Sequence, residues 1–167
     1  TSTVQHIPIK DGEKFTVVGD LHGQLQDLFT IFTINGLPSA TNRYLFNGDV
    51  ADRGRDVAKA NACLRRLQRL APEAGGRVIR LVGNHELMRA EGSLRDAHPA
   101  ESSAAAVAGV MQWKVDVKSG AVRASYSDGP YFFTHAGVRP ALLERLPTSS
   151  IGELVGYLND RLRDAVV

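Results

Sequence analysis

The sequence predicts an α/β fold built on a largely parallel sheet, and two observations predict it. Short β-branched and aromatic runs alternate with apolar residues at helical spacing, in the order strand, helix, strand, helix, strand, which implies right-handed crossovers. Each strand run also ends in a glycine-flanked cluster of Asp, Asn, His or Arg, and the carboxyl edge of an open α/β sheet is where ligands bind.

Taken in order, Thr1 to Gly12 reads as an extended lead-in, with His6 an edge or surface histidine. Lys14 to Val18 is the first strand and runs into Gly19-Asp20-Leu21-His22-Gly23. Leu25, Leu28, Phe29 and Phe32 then recur at i, i+3, i+4 and i+7, the buried face of a helix that Asn35-Gly36 closes before the turn at Leu37-Pro38-Ser39. Arg43 to Asn47 is the second strand and delivers Gly48-Asp49-Val50-Ala51-Asp52-Arg53-Gly54. Asp56 is placed to cap a helix over Val57 to Leu70, whose apolar face carries Val57, Ala60, Leu64, Leu67 and Ala71. Arg65, Arg66 and Arg69 fall on its other side and read as a solvated face.

After a turn over Pro72 to Gly76, Arg77 to Val82 is the third strand and leads into Gly83-Asn84-His85-Glu86. Leu87 to Ala90 reads as a short helix and Gly92 to Pro99 as a loop, with His98 a loop histidine. Ser102 to Val117 is Ala-rich, with Val107, Val110, Met111 and Lys114 at helical spacing. Val122 to Ser127 and Tyr131 to Thr134 flank Asp128-Gly129-Pro130 as a hairpin, the second of them ending in His135-Ala136-Gly137. Ile151 to Val166 is a final amphipathic helix.

Composition bounds the function. A net charge of +2 argues against nucleic acid or an anionic membrane as a partner, and no apolar run is long enough to span a bilayer. Cys63 is the only cysteine, so the chain is expected to be intracellular, in the reducing cytoplasm. The first residue is Thr1 and not Met, so the chain reads as processed or excised from something longer.

The strand ends carry five candidate metal ligands, Asp20, His22, Asp49, Asn84 and His135. Carboxylate and amide oxygens together with imidazole nitrogens suit Mn, Fe or Zn. Five donors exceed what one catalytic ion takes from a protein; they suit two ions sharing a carboxylate, with Asp49 in the middle strand as the bridge. Such a pair clamps an in-line displacement and lowers the pKa of a shared water toward neutrality, which yields a hydroxide nucleophile. His85 is then left to protonate a leaving alkoxide, Asp52 to orient its imidazole and Arg53 to grip phosphate with its planar fork.

The four clusters in this order, Gly19 to Gly23, Gly48 to Gly54, Gly83 to Glu86 and His135 to Gly137, resemble the signatures of phosphoprotein phosphatase (PPP) type serine/threonine phosphatases, members of the calcineurin-like metallophosphoesterases. The resemblance runs from Phe15 to Pro140. Gly36 to Asn42 is similar to eukaryotic members and Gly83 to Gly92 to the Shewanella-like, bacterial-type branch, so the subgroup stays open. It implies a central β-sandwich flanked by helices, with Asp20, His22 and Asp49 on one metal and Asp49, Asn84 and His135 on the other. It also implies His85 as general acid paired with Asp52, Arg53 and Asn84 at the substrate, and phosphoserine or phosphothreonine proteins as substrates. A regulatory subunit is not identified.

The chain departs from the pattern in places. Ala51 replaces a commoner valine, and Val82 stands where eukaryotic members usually carry arginine. Family members add a metal-ligating histidine and usually an arginine downstream, yet no histidine follows His135. Residues 1–167 are therefore expected to be one catalytic domain truncated at its C-terminus. Two other readings stand beside it. A dinucleoside polyphosphate hydrolase of the same superfamily is disfavoured by Asp52 and Glu86, and an inert phosphatase-like binding module is disfavoured by intact His85, Asp52 and Arg53.

Overall fold

The computed structural model describes the backbone of residues 4–7 and the whole of residues 11–146 and 150–166. The main sheet has five strands in the order β1 (Val4–Ile7), β2 (Lys14–Val18), β3 (Asn42–Phe46), β4 (Val78–Leu81) and β5 (Val122–Arg123). Strands β2 to β5 are parallel, as expected, and β1 pairs antiparallel with β2 at the edge. The lead-in thus supplies a strand where the sequence predicts only extended chain. His6 lies on that strand, and its side chain is outside the described residues.

Alternation along the strands builds a core on each face of the sheet. Val18, Tyr44, Phe46 and Val78 point to one face, where Leu28 and Ile31 of α1 (Leu25–Asn35) and Ala60 and Leu64 of α2 (Val57–Leu70) cover them. Phe15, Leu45, Ile79 and Leu81 point to the other. There they meet Tyr126 of β6 (Ser125–Asp128) and Phe133 of β7 (Tyr131–Thr134), the antiparallel pair that forms the second sheet. The Phe15 ring packs edge-on against Phe133 at 5.4 Å and Tyr126 at 6.4 Å between centroids. The result is a five-on-two sandwich with helices outside.

Several expectations need correction. Phe29 is 46% exposed; Leu28, Ile31 and Asn35 form the buried face of α1, with Leu25 and Phe32 partly buried beside it. Asp56 stands at the start of α2 but caps nothing, because its carboxylate takes the Lys59 ammonium instead. The run Val122 to Ser127 is not one strand. It breaks at Ala124, with β5 joining the large sheet and β6 the small one. Asn159 of α6 (Ile151–Ala165) makes the break: its amide oxygen accepts the Ala124 and Ser125 N–H groups and its NH2 donates to the Ser125 carbonyl.

The short helix after β4 also starts earlier than expected. α3 spans Asn84–Ala90, so Asn84, His85 and Glu86 form its first turn. α4 (Ser103–Lys118) buries Ala106, Trp113, Asp116 and Val117, while Val107 and Met111 are exposed. A short α5 (Pro140–Leu143) follows β7. Among the described residues no helix is long and apolar enough to cross a membrane.

Candidate active site

Parallel strands β2, β3 and β4 deliver their three following segments to one edge of the sheet, and β7 brings His135 to the same place. Backbone hydrogen bonds join the segments after β2 and β3. Leu21 and His22 N–H groups bond the Asp49 carbonyl, Gly23 N–H bonds Val50, and Gly54 N–H bonds His22. Gly83 is required for this approach: a Cβ there would sit 2.0 Å from Asp49 Oδ1 and 2.3 Å from Asp49 N. His22, Asp49, Asp52 and Arg53 have φ between 44° and 68°, and they are the non-glycine residues in this region of backbone space among those described. Each costs on the order of 1–3 kcal/mol, and such strain concentrates at functional sites.

Glu86 holds the strained segment in place, a role the sequence reading missed. Its buried carboxylate accepts four backbone N–H groups, from Asp49, Val50, Ala51 and Gly83. One acidic side chain thereby fastens the β3 and β4 segments together. A glutamate at the third helical position after a glycine N-cap was a legible sign that it reaches back to Gly83. Its three partners on the other segment were not legible.

The five candidate ligands converge. Asp49 is 3% exposed, and its Oδ2 lies 3.8 Å from His22 Nε2 and 3.5 Å from His135 Nε2. Asp20 Oδ2 is 3.6 Å from His22 Nε2, and Asn84 Oδ1 is 3.1 Å from His135 Nε2. Bonds of about 2.1 Å to a metal place neighbouring ligand atoms roughly 3–3.5 Å apart; the 3.1 and 3.5 Å spacings fall in that range and the 3.6 and 3.8 Å ones lie a few tenths of an ångström beyond it. Both imidazoles are aimed by their other nitrogen: His22 Nδ1–H donates to the Ala51 carbonyl at 2.8 Å and His135 Nδ1–H to Asn47 at 2.6 Å. Each Nε2 is left facing the carboxylates, the orientation that a metal-ligating histidine receives from its outer partner. His22 Nε2 is buried without a hydrogen-bond partner, a cost that a cation beside it removes.

Charge at this place is strongly coupled. In the metal-free site Asp49 raises the His135 pKa to about 9, against the smaller effect of burial. Burial works against ionisation of Asp49, but His135 and the His85 N–H outweigh it and hold its carboxyl below the usual range.

His85 also comes within metal-sharing distance of His22 and Asp49. Its nitrogens are already committed, which argues against ligation. Nδ1 bonds Asp52 Oδ2 at 2.8 Å and Nε2 lies 3.3 Å from Arg53 Nη2. Asp52 is 1% exposed and the Arg53 side chain faces solvent. Other polar residues remain apart from this cluster: His98 accepts the Ala100 N–H of its own loop, and Arg66 and Arg69 are exposed. Burial raises the Cys63 thiol pKa, so no reactive thiolate is at hand.

Comparisons with known proteins place this geometry. Human serine/threonine-protein phosphatase 5 is 46% identical over 85 residues, which is 51% of this chain and 16% of that protein. Serine/threonine-protein phosphatase T of Schizosaccharomyces pombe is 43% identical over 86 residues, 52% of this chain and 18% of its own length. The cold-active protein-tyrosine phosphatase of a psychrophilic Shewanella species superposes with a TM-score of 0.72 at 21% identity. That superposition covers 90% of this chain and 49% of that one. The chain therefore spans less than a fifth of these curated relatives and about half of the solved structure. The family model for calcineurin-like phosphoesterases matches residues 13–162, from β2 through most of α6, and the chain belongs to that family.

Proposed function

We propose that the chain is the catalytic part of a metal-dependent phosphomonoesterase that acts on phosphoserine and phosphothreonine in proteins. One observation carries this reading: lone-pair donors spaced as a coordination shell adjoin an Asp-His pair and an arginine fork at one sheet edge. Asp20, His22 and Asp49 would hold one ion and Asp49, Asn84 and His135 the other. Mn, Fe or Zn suits the donors. Bound there, the ions supply Lewis acidity toward phosphate oxygens and activation of water at neutral pH.

The chain's own residues do the rest. Arg53 binds two phosphate oxygens, and its position 3.3 Å from His85 Nε2 sets the phosphate beside the imidazole. Asp52 holds Nδ1–H inward, so Nε2 is the nitrogen that takes up a proton from water once Arg53 turns to phosphate, and it passes that proton to the leaving oxygen. This arrangement suits an alkoxide, which cannot leave without a proton. The buried Asp52 partner also argues against a dinucleoside polyphosphate hydrolase, whose phosphate leaving group needs no such acid.

His85→Asn tests the reading. The variant is expected to keep its metals and to lose on the order of 10²–10⁴ in kcat on a phosphoserine peptide, with a much smaller loss on nitrophenyl phosphate. Equal losses on the two substrates would remove the proton-donor role.

A further inference from the structure

Arg89 was not singled out in the sequence, yet it is 6% exposed and reaches the catalytic pair from behind. Its Nε donates to Asp52 Oδ1 at 2.5 Å, while Asp52 Oδ2 takes His85 Nδ1–H. Its two terminal nitrogens hold Glu101, at 2.9 Å to Oε1 and 2.6 Å to Oε2. Each oxygen of the Asp52 carboxylate therefore has one partner, and the two partners together fix its rotation. A planar guanidinium with Nε on one carboxylate and both amino groups on another is itself held in one orientation.

Two further features make the Glu101 contact more than a tether for the loop. A cavity of about 370 Å³ borders both Arg89 and Glu101, so an unclamped guanidinium has space to swing away from Asp52. The same loop, between α3 and α4, also bonds the backbone of Arg53 through the Asp96 carbonyl at 2.9 Å. The proton donor and the phosphate fork thus rest on a single segment.

We propose that Arg89, clamped by Glu101, is a positioning residue that locks the Asp52 carboxylate and through it aims His85 at the leaving oxygen. This inference rests on the phosphomonoesterase reading above. The experiment uses the whole Mn-loaded chain and compares wild type with Arg89→Met, Glu101→Gln, Asp52→Asn and the Asp52→Asn/Arg89→Met double variant. Substrates are a phosphoserine peptide and nitrophenyl phosphate.

Arg89→Met is expected to lower kcat on the peptide by roughly 10–100-fold with KM and Mn content unchanged, because small misplacements of a catalytic group cost this much. The loss on nitrophenyl phosphate is expected to be smaller, and millimolar guanidinium is expected to restore part of the peptide rate. Glu101→Gln moves kcat in the same direction by less, and it carries the test alone if Arg89→Met does not fold. In the Asp52→Asn background, Arg89→Met adds no further loss, since the two act through one contact.

Full additivity in that background would overturn the inference, as would equal losses on both substrates or wild-type rates in both single variants. A second readout is independent of turnover: the proton NMR signal of His85 Nδ1–H bonded to Asp52 is expected to shift in Arg89→Met. Wild type without any Mn-dependent turnover would defeat the phosphomonoesterase reading instead. An unmoved proton signal would then defeat the positioning contact separately.

Discussion

Glu86→Ala is expected to destabilise the fold by on the order of 5 kcal/mol, a third or more of what a domain of this size has to lose. The carboxylate accepts four backbone N–H groups inside the protein, and alanine leaves all of them without an acceptor. Each buried orphan costs about 1–3 kcal/mol where the structure cannot relax. Relaxation is restricted here, because Asp49 is held at φ 52° and Gly83 is in contact with it. Glu86→Gln keeps the shape but turns an NH2 toward N–H donors, so an intermediate loss of roughly 2–4 kcal/mol is expected. For a chain of this length each kcal/mol lowers Tm by about 2–4 °C. Thermal unfolding of the three proteins decides the matter. Wild-type Tm in Glu86→Ala would mean that the segments after β3 and β4 are held by something else.

Asp49→Asn is expected to lose both metals, with apparent Mn affinity down by more than about 100-fold, and to retain the fold. Asn Oδ1 still accepts the His85 N–H that Asp49 Oδ1 accepts at 3.0 Å. The amide NH2 replaces Oδ2, however, and presents hydrogens where His22 and His135 converge from 3.8 and 3.5 Å. Elemental analysis after gel filtration reads the outcome. Two ions retained per chain would reject Asp49 as the shared ligand.

The substitution has a second signature, in metal-free protein. The His135 pKa is raised to about 9 from an ordinary 6.5 by Asp49, so this pair's contribution to stability is fully present below pH 6.5. It is lost as pH rises through 9. Asp49→Asn is expected to flatten that part of the pH–stability curve, and unfolding in chelator between pH 6 and 9.5 measures it. An unchanged slope would separate His135 from Asp49.

The fold was legible where the signal is local. Strands β2, β3 and β4 follow the sequence to within about a residue at each end, because β-branched and aromatic runs stop at glycines that must bend the chain. The five candidate ligands were legible for a related reason: Asp20, Asp49 and Asn84 directly follow those glycines, His22 precedes Gly23, and His135 stands two residues before Gly137. Elements fixed by distant partners were not. The break at Ala124 is made by Asn159, 35 residues away, and a continuous β-prone run gives no hint of it. The i, i+4 spacing of Phe29 from Leu25 fits a helix face and predicts it inward. Ile31 and Asn35 give an equally good face rotated toward the sheet, and that face won. Glu86 shows locally only its return to Gly83; its bonds to Asp49, Val50 and Ala51, and those of Arg89 and Glu101, reach groups that only the folded chain brings near.

The measurement to make first is Mn uptake and phosphate release by this chain on a phosphoserine peptide, in chelator and after Mn is restored. Two Mn ions per chain, with turnover that vanishes in chelator and returns with Mn, is the expected result. A folded chain that binds no Mn and releases no phosphate at any Mn concentration would contradict a two-metal phosphomonoesterase built from Asp20, His22, Asp49, Asn84 and His135.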